Sequence, residues 1–335
     1  MNYKFICSLL LLAISTLAFG QIDEYTEIDA VVRDKYIKSN DAYSIAEEIS
    51  YEYDSEEEKI RTIFVWIADN IEYSYDTYLD QKENRSERRI KSKDPEERAE
   101  LIVEQKEDDL SRALKKRGGV ETDFTFMFIK MCEAVGVEAG EVRGYLRRSE
   151  RRIGQMPRRP DHLWTWAMVD GRKQFFDVYL GAGTFDKKTK EFTKDFDGNY
   201  FMIKPEVLIL SHYPEDSTLQ GIEPLLSQQE FADQPFRLRS YSTSKIVELF
   251  PKIGTVPTGV TEIEFKFKFT EGEIPHRILT YERRKLSEQE FTRSDDGYWV
   301  LNYKIPENRP RQLKFVIKDS KLYEHEALIY TFAVE

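Results

Sequence analysis

The chain has few of the residues that staple or metallate a small fold. Its 335 residues include two Cys and four His. Two thiols exclude a disulfide scaffold and a thiolate metal cage. Four scattered histidines argue against a zinc site, and neither a metal nor another cofactor is expected. Surplus positive charge is also lacking. The net charge is −11 and the isoelectric point about 5.2, which excludes a general nucleic-acid binder, because neutralising phosphates takes a basic surface. Beyond the first twenty residues no apolar run approaches the roughly 20 residues needed to span a membrane. No internal repeat or low-complexity tract stands out. What is abundant is core-forming material: 40% hydrophobic residues, with 19 Tyr and 21 Phe. That excludes wholesale disorder, and the length suits two folded domains or three.

Residues 1–20 read MNYKFICSLLLLAISTLAFG. One Lys precedes an apolar run from Phe5 to about Leu17, and small residues follow at Ala18 and Gly20. This is the pattern of a secretory signal peptide cut between Gly20 and Gln21, or of a retained N-terminal anchor. Cleavage would remove Cys7 and leave a mature chain with Cys132 alone, unable to form an internal disulfide. The expectation is an exported protein, periplasmic or extracellular, with no transmembrane segment after cleavage.

Residues 21–50 are polar with scattered apolar positions and suit one or two short helices. Over 53–76 an amphipathic helix is predicted. Asp54 or Ser55 caps it, Glu56, Glu57 and Glu58 suit its N-terminal dipole, and Ile60, Ile63, Phe64, Ile67 and Ile71 repeat at helical spacing. The stretch 81–108 mixes charges of both signs, as a solvated helix, a mobile loop or a lid would. A Gly pair then opens RGGVETDFTFMFIKMCEAV (117–135), a helix burying Phe124, Met127, Phe128, Met131 and Cys132. VEAGEVRGYL (137–146) and HLWTWAMVDGRKQFFDVYL (162–180) read as strands, the second as a hairpin about its VDG turn. From about residue 222 the helical pattern stops. TEIEFKFKF, GYWVLNYKI, QLKFVIK and ALIYTFAV are short alternating strands between turns, an all-β sandwich of immunoglobulin-like spacing without a disulfide.

A site needs a base and something to orient it. His162 opens one arm of the hairpin, and Asp177 lies fifteen residues later on the other. Such a hairpin can set a carboxylate beside the imidazole, holding it oriented and basic; a surface histidine without a partner is the alternative. The Gly-containing turn at 118–119 opens a helix whose dipole would lower a thiol pKa, but no Cys or Ser stands there. Cys132 lies about 16 Å farther along the axis from Glu121 and reads as core.

The segment from Ser55 to about Ile222 resembles the transglutaminase-like superfamily, nearest to bacterial domains akin to the kyphoscoliosis peptidase and the cytokinesis transglutaminase-like proteins. The residues carrying the resemblance are EEKIRTIFVWIADNIEYSYD, KKRGGVETDFTFMFIKMCEAVGVEAGEVRGY, HLWTWAMVDGRKQFFDVYLGAG and YFMIKPEVLILSHYPED, in family order. It implies an α+β fold: a papain-like cysteine-protease core of helices packed on an antiparallel sheet over 51–222, followed by the immunoglobulin-like sandwich over 236–335. It also implies that His162 and Asp177 stand at the catalytic His and Asp positions, with Glu121 where the nucleophilic Cys belongs and Cys132 at a second, non-catalytic Cys. Thr165 replaces the family's Asn, and Tyr179 its Thr.

Between the Gly pair's helix and His162 runs GYLRRSERRIGQMPRRPDH. Arg147, Arg148, Arg151, Arg152, Arg158 and Arg159 reverse the local charge of an acidic chain. They suit either a solubilising loop paired with nearby acids or a docking rim for an anionic ligand, since guanidinium forks bind carboxylates and phosphates. With Trp164 they are the candidate ligand-binding residues. The expected function is a catalytically inactive transglutaminase-like binding module for a polypeptide, a cell-wall or other cell-envelope component, or an anionic ligand. The alternative is an active hydrolase or acyltransferase using Glu121 with the His162/Asp177 pair. A scaffold at the cell surface is a third.

Overall fold

A computed structural model describes residues 25–84, 90–238, 245–270, 275, 277–283, 285–318 and 324–333. The leader-like segment 1–20 lies outside them. The chain divides into two compact units. The first runs to Glu138 and adds Val169–Gly171 and Ala182–Phe196. The second comprises Ala139–Met168, Arg172–Gly181 and Asp197 onward.

The first unit is mainly helical: α1 (Thr26–Asp34), α2 (Ala42–Ser50), α3 (Glu56–Asn70), α4 (Tyr75–Glu83), α5 (Pro95–Lys116) and α6 (Glu121–Ala134). Helix α3 starts where its cap chemistry dictates. Ser55 Oγ accepts from the Glu58 N–H at 3.2 Å and donates to the Glu58 carboxylate at 2.7 Å, satisfying an orphan donor of the first turn. The five predicted apolar positions of this helix are all buried, Ile71 as its C-cap. Helix α2 buries Ile45, Ala46 and Ile49 and packs on α6, so residues 42–50 belong to the core of this unit. Helix α1 is pinned by charge. Arg61, buried on α3, sends Nε to Asp29 Oδ1 at 2.8 Å and Nη2 to Asp29 Oδ2 at 2.7 Å. Its guanidinium also lies 4.5 Å from the Tyr25 ring centroid.

Of 81–108, the described residues to Glu83 end α4 and those from Pro95 onward belong to α5, with non-helical residues 90–94 before it, and most are exposed. Asp94 accepts from Glu96 and Glu97 N–H groups, and Pro95 takes the first turn of α5, where no amide donor is needed. Leu110, Ala113 and Leu114 are the buried residues of α5. Arg117 ends the helix in the left-handed region at φ 52°. The two-residue strands β1 (Glu72–Tyr73) and β2 (Gly118–Gly119) then pair in parallel. Gly119 is demanded by close approach: a Cβ there would fall 2.7 Å from Asp123 Oδ2. That same oxygen accepts the Val120 N–H at 2.8 Å and so fixes the first turn of α6. Phe124, Met127, Phe128, Met131 and Cys132 are all buried, as expected.

In the second unit β3 (Ala139–Leu146), β4 (His162–Val169) and β5 (Arg172–Phe176) begin a four-stranded sheet, with α7 (Val178–Ala182) directly behind. Asp170 at φ 49° and Gly171 at φ 72° make the expected tight turn between β4 and β5. The next hairpin, β6 (Gly183–Asp186) with β7 (Glu191–Lys194), belongs to the first unit. After α8 (Pro205–Leu208), β8 (His212–Pro214) completes the sheet in the order β5-β4-β3-β8.

Helix α9 (Gln228–Asp233) leads to β9 (Phe236–Arg237). The C-terminal strands follow: β10 (Ile246–Phe250), β11 (Thr255–Val256), β12 (Glu262–Phe269), β13 (Arg277–Glu282), β14 (Lys285–Glu288), β15 (Thr292–Arg293), β16 (Trp299–Lys304), β17 (Gln312–Lys318) and β18 (Glu324–Phe332). They form two sheets, β10-β12-β16-β15 and β11-β18-β17-β13-β14, the latter with β9 on β18. Pairing is antiparallel except for β11 on β18. Phe265 and Phe267 of one sheet meet Phe315 and Tyr330 of the other, at centroid distances of 4.8–4.9 Å for the nearest pairs. Each such edge-to-face pair contributes about 0.5–1.5 kcal/mol beyond its area, and together they hold the sandwich closed.

Asp29→Ala leaves Arg61 buried without its counter-charge. The expected loss is about 3–5 kcal/mol, read from the urea midpoint, and the double replacement Asp29→Leu with Arg61→Met should recover most of it.

Candidate functional site

His162 is the first residue of β4 and pairs with Gly144 of β3. His212 is the first residue of β8 and pairs with Leu146, also of β3. Asp177 stands between the end of β5 and the start of α7. The ends of β5, β4 and β8, the last two on either side of β3, thus deliver two imidazoles and a carboxylate to one end of the sheet. His162 Nε2 lies 2.5 Å from Asp177 Oδ2, and His212 Nε2 lies 3.0 Å from the same oxygen. The expected His162–Asp177 pair is therefore present, and all three residues are buried.

Gly144 makes this convergence possible. A Cβ there would fall 2.2 Å from the Tyr213 carbonyl oxygen and 2.5 Å from Cη2 of Trp164. With any other residue β3 could not lie so close to β8. Asp177 is itself fixed at both ends: its amide donates to the Tyr200 carbonyl at 3.0 Å, and Oδ1 accepts the Leu180 N–H at 2.9 Å. That leaves Oδ2 for the imidazoles.

Burial works to raise the Asp177 pKa, but the charge of His162 and the hydrogen bonds from both rings outweigh it. They hold the carboxyl far below the ordinary range. An ionised carboxylate only accepts, so both Nε2 atoms carry hydrogen. His212 Nδ1 then accepts from the Ser211 hydroxyl at 2.8 Å. Burial lowers the His212 pKa, against its bond to Asp177 and with the charge of His162 and, farther out, Arg148, so that ring is neutral at pH 7. With His162 Nε2 committed to Asp177, Nδ1 is the nitrogen that acid–base work would use.

The other nominated residues separate. Trp164 is not open to solvent. It packs with Val142, Phe175, Ile203 and Leu208, its ring 5.9 Å from that of His162 and 5.2 Å from that of His212. Thr165 donates its hydroxyl to the Phe176 carbonyl at 3.2 Å, and Tyr179 is buried with its ring 6.4 Å from that of His162. Arg147 turns inward. It is buried over the Phe231 ring, and Nη1 donates to the carbonyls of Gln234 at 2.7 Å and Pro235 at 3.2 Å. Burial brings its pKa down to about 10, and its work is to tie the end of β3 to the segment entering the sandwich. Arg148, Arg151, Arg152, Arg158 and Arg159 are exposed. Of these, Arg148 donates to the Asp161 carbonyl at 3.0 Å, and Arg152 lies 3.5 Å from the Asp161 carboxylate.

Glu121 opens α6 in the first unit, and Cys132 is buried in its last turn, its thiol pushed far up by burial. That unit also has an open polar cleft of about 710 Å³ lined by residues including Ser74, Asp76, Asp109 and Arg112. His212 is the residue the sequence reading passed over. Nothing in its spacing, 35 residues beyond Asp177, points to that carboxylate. Only the scarcity of histidine singles it out, and β8 pairing beside β3 brings it to the carboxylate.

The sequence model of the transglutaminase-like superfamily matches residues 43–179. Kyphoscoliosis peptidase of Mus musculus is 23% identical over 235 residues, covering 70% of this chain and 32% of its own length. The Homo sapiens protein of that name is 24% identical over 202 residues, covering 60% and 27%. The chain therefore spans about a third or less of the length of the curated relatives it matches. A crystal structure of a TGase superposes with a TM-score of 0.28 at 12% identity, covering 58% of this chain and 41% of that one. Among the described residues no helix is long and apolar enough to cross a membrane.

Two outcomes follow from this geometry. Gly144→Ala should push β8 from β3, costing about 1–3 kcal/mol and breaking the His212–Asp177 bond, as read from the imidazole proton resonances. The second concerns pH. A ring whose pKa lies below the unfolded value of 6.5 binds fewer protons folded than unfolded, so stability falls as pH drops below 6.5. His212→Gln removes that contribution and should flatten the slope of unfolding free energy between about pH 6.5 and pH 5. Asp177 acts lower: its contribution is complete above the unfolded value of 3.8 and is lost as pH falls below it.

Proposed function

Residues 43–179 form a transglutaminase-like domain, and on that premise we propose that this protein is an exported, catalytically inactive member that works by binding. The observation carrying the proposal is the absence of a usable thiol. Among the described residues the cysteine is Cys132 alone, deep in α6 with its ionisation suppressed by burial. A thiolate nucleophile instead needs an exposed, electropositive setting. Supporting the reading, the family resemblance in the sequence aligns Glu121 with the nucleophilic Cys, and Glu121 is the first residue of α6. A carboxylate is favoured there by roughly 0.3–1 kcal/mol through the helix dipole, but it is a poor acyl nucleophile without special activation.

The base and its orienter outlast the lost nucleophile because they are structural. Removing His162 would leave the buried Asp177 carboxylate without its counter-charge, and removing Asp177 would leave both rings without their acceptor. The binding face we assign is the exposed arginine group Arg148, Arg151, Arg152, Arg158 and Arg159, with a polypeptide, cell-wall or other anionic cell-envelope ligand. Arg147 is excluded from that face by its burial. Export rests on the leader-like residues 1–20.

Glu121→Cys tests this, assayed beside the native protein for amide hydrolysis and amine transfer. The native chain should be inactive, and the variant should gain thiol-dependent turnover that alkylation abolishes. Native activity that disappears in Glu121→Cys would establish Glu121 as a working carboxylate and overturn the reading.

A further inference from the structure

Orienting one imidazole takes one carboxylate. Here the same carboxylate oxygen also receives a second imidazole, and that surplus calls for an explanation of its own. One donor atom from each of His162, Asp177 and His212 lies within 4.8 Å of the other two, all on buried residues. We propose that His162, Asp177 and His212 form a site for a divalent transition-metal ion, of the zinc or cobalt type.

The donor set selects the class. Two imidazole nitrogens and one carboxylate oxygen suit zinc, cobalt or nickel. Calcium and magnesium want six or more oxygens, and no thiolate is present to favour copper(I) or an iron–sulfur cluster. Three protein ligands with a further position for water is a common zinc arrangement. Tetrahedral ligand bonds of about 2.0–2.2 Å set donor atoms about 3.3–3.6 Å apart, so binding opens the 3.0 Å His212–Asp177 contact by a few tenths of an ångström and the 2.5 Å His162–Asp177 contact by about 1 Å.

The surroundings are those of a ligand set. Asp177 Oδ1 is held by the Leu180 N–H, which aims Oδ2 inward. Ser211 Oγ stands 2.8 Å from His212 Nδ1. A hydroxyl donates or accepts with equal ease, so it serves the ring in either tautomer. On binding, both rings present the Nε2 lone pair to the metal: His212 moves its hydrogen to Nδ1, where Ser211 accepts it, and His162 gives up its Nε2 hydrogen and carries one on Nδ1. Such an outer partner fixes ring orientation and typically governs affinity by 10–100-fold. Trp164 packs on both rings, and its buried indole N–H has no hydrogen-bond partner among the described residues.

The site does not depend on the binding function proposed above, and its test needs no turnover. The metal-free full-length protein is titrated with Co²⁺ and then Zn²⁺, following the visible cobalt bands and the stoichiometry. One ion per chain is expected, with low-symmetry cobalt bands that zinc displaces. His212→Gln should abolish the bands, and Ser211→Ala, which keeps all three ligands, should weaken binding 10–100-fold. Failure of the native protein to bind one ion, or equal binding by native protein and His212→Gln, would overturn the proposal. Should His212→Gln not fold, Ser211→Ala decides, and unchanged affinity there would likewise overturn it.

Discussion

Two imidazoles rest on a single carboxylate oxygen at the end of a four-stranded sheet, and much of the second unit is arranged to keep that carboxylate where it is. Asp177 is held by the amide it donates and by the one it accepts, so its side chain has little freedom to follow a wandering histidine. The histidines must come to it. They do so because each begins a strand, and because Gly144 lets those strands lie closer than any side chain would allow. A buried carboxylate stays ionised only with such company, and buried imidazoles gain from it in turn. The three groups form one electrostatic unit.

That unit is held together by its own charge balance, whatever chemistry goes on around it. A pair that is part of a buried charge balance is retained by stability alone, so His162 and Asp177 do not by themselves signify activity. Glu121 is set apart from that unit: it stands at a helix start on the first unit, where the N-terminal dipole favours a carboxylate.

The arginine-rich stretch shows how one composition signal resolves into two physical roles. Arg147 is buried over an aromatic ring and bonds to backbone carbonyls, so it fastens the sheet to the chain entering the sandwich. The exposed arginines after it make limited local contacts with Asp161 and keep their charge at the surface. Run length and sign cannot separate these roles, because burial is set by what packs above each side chain.

Local chemistry was legible in the residues. The capped start of α3, the apolar face of α6, the turn at Asp170 and Gly171, and the alternation of Phe265, Phe267 and Phe269 follow from propensity, capping and periodicity, which act within a few residues. The motifs carried the domain type as well, and with it the pairing of His162 and Asp177 across one hairpin. Other features were decided only by the tertiary structure. These were the arrival of His212 from 35 residues away, the burial of Trp164 and Arg147, and the ion pair from Asp29 to Arg61. Each depends on which distant strand or helix is laid alongside. That choice is made by the burial of whole faces and the close approach of backbones, and no local pattern records it.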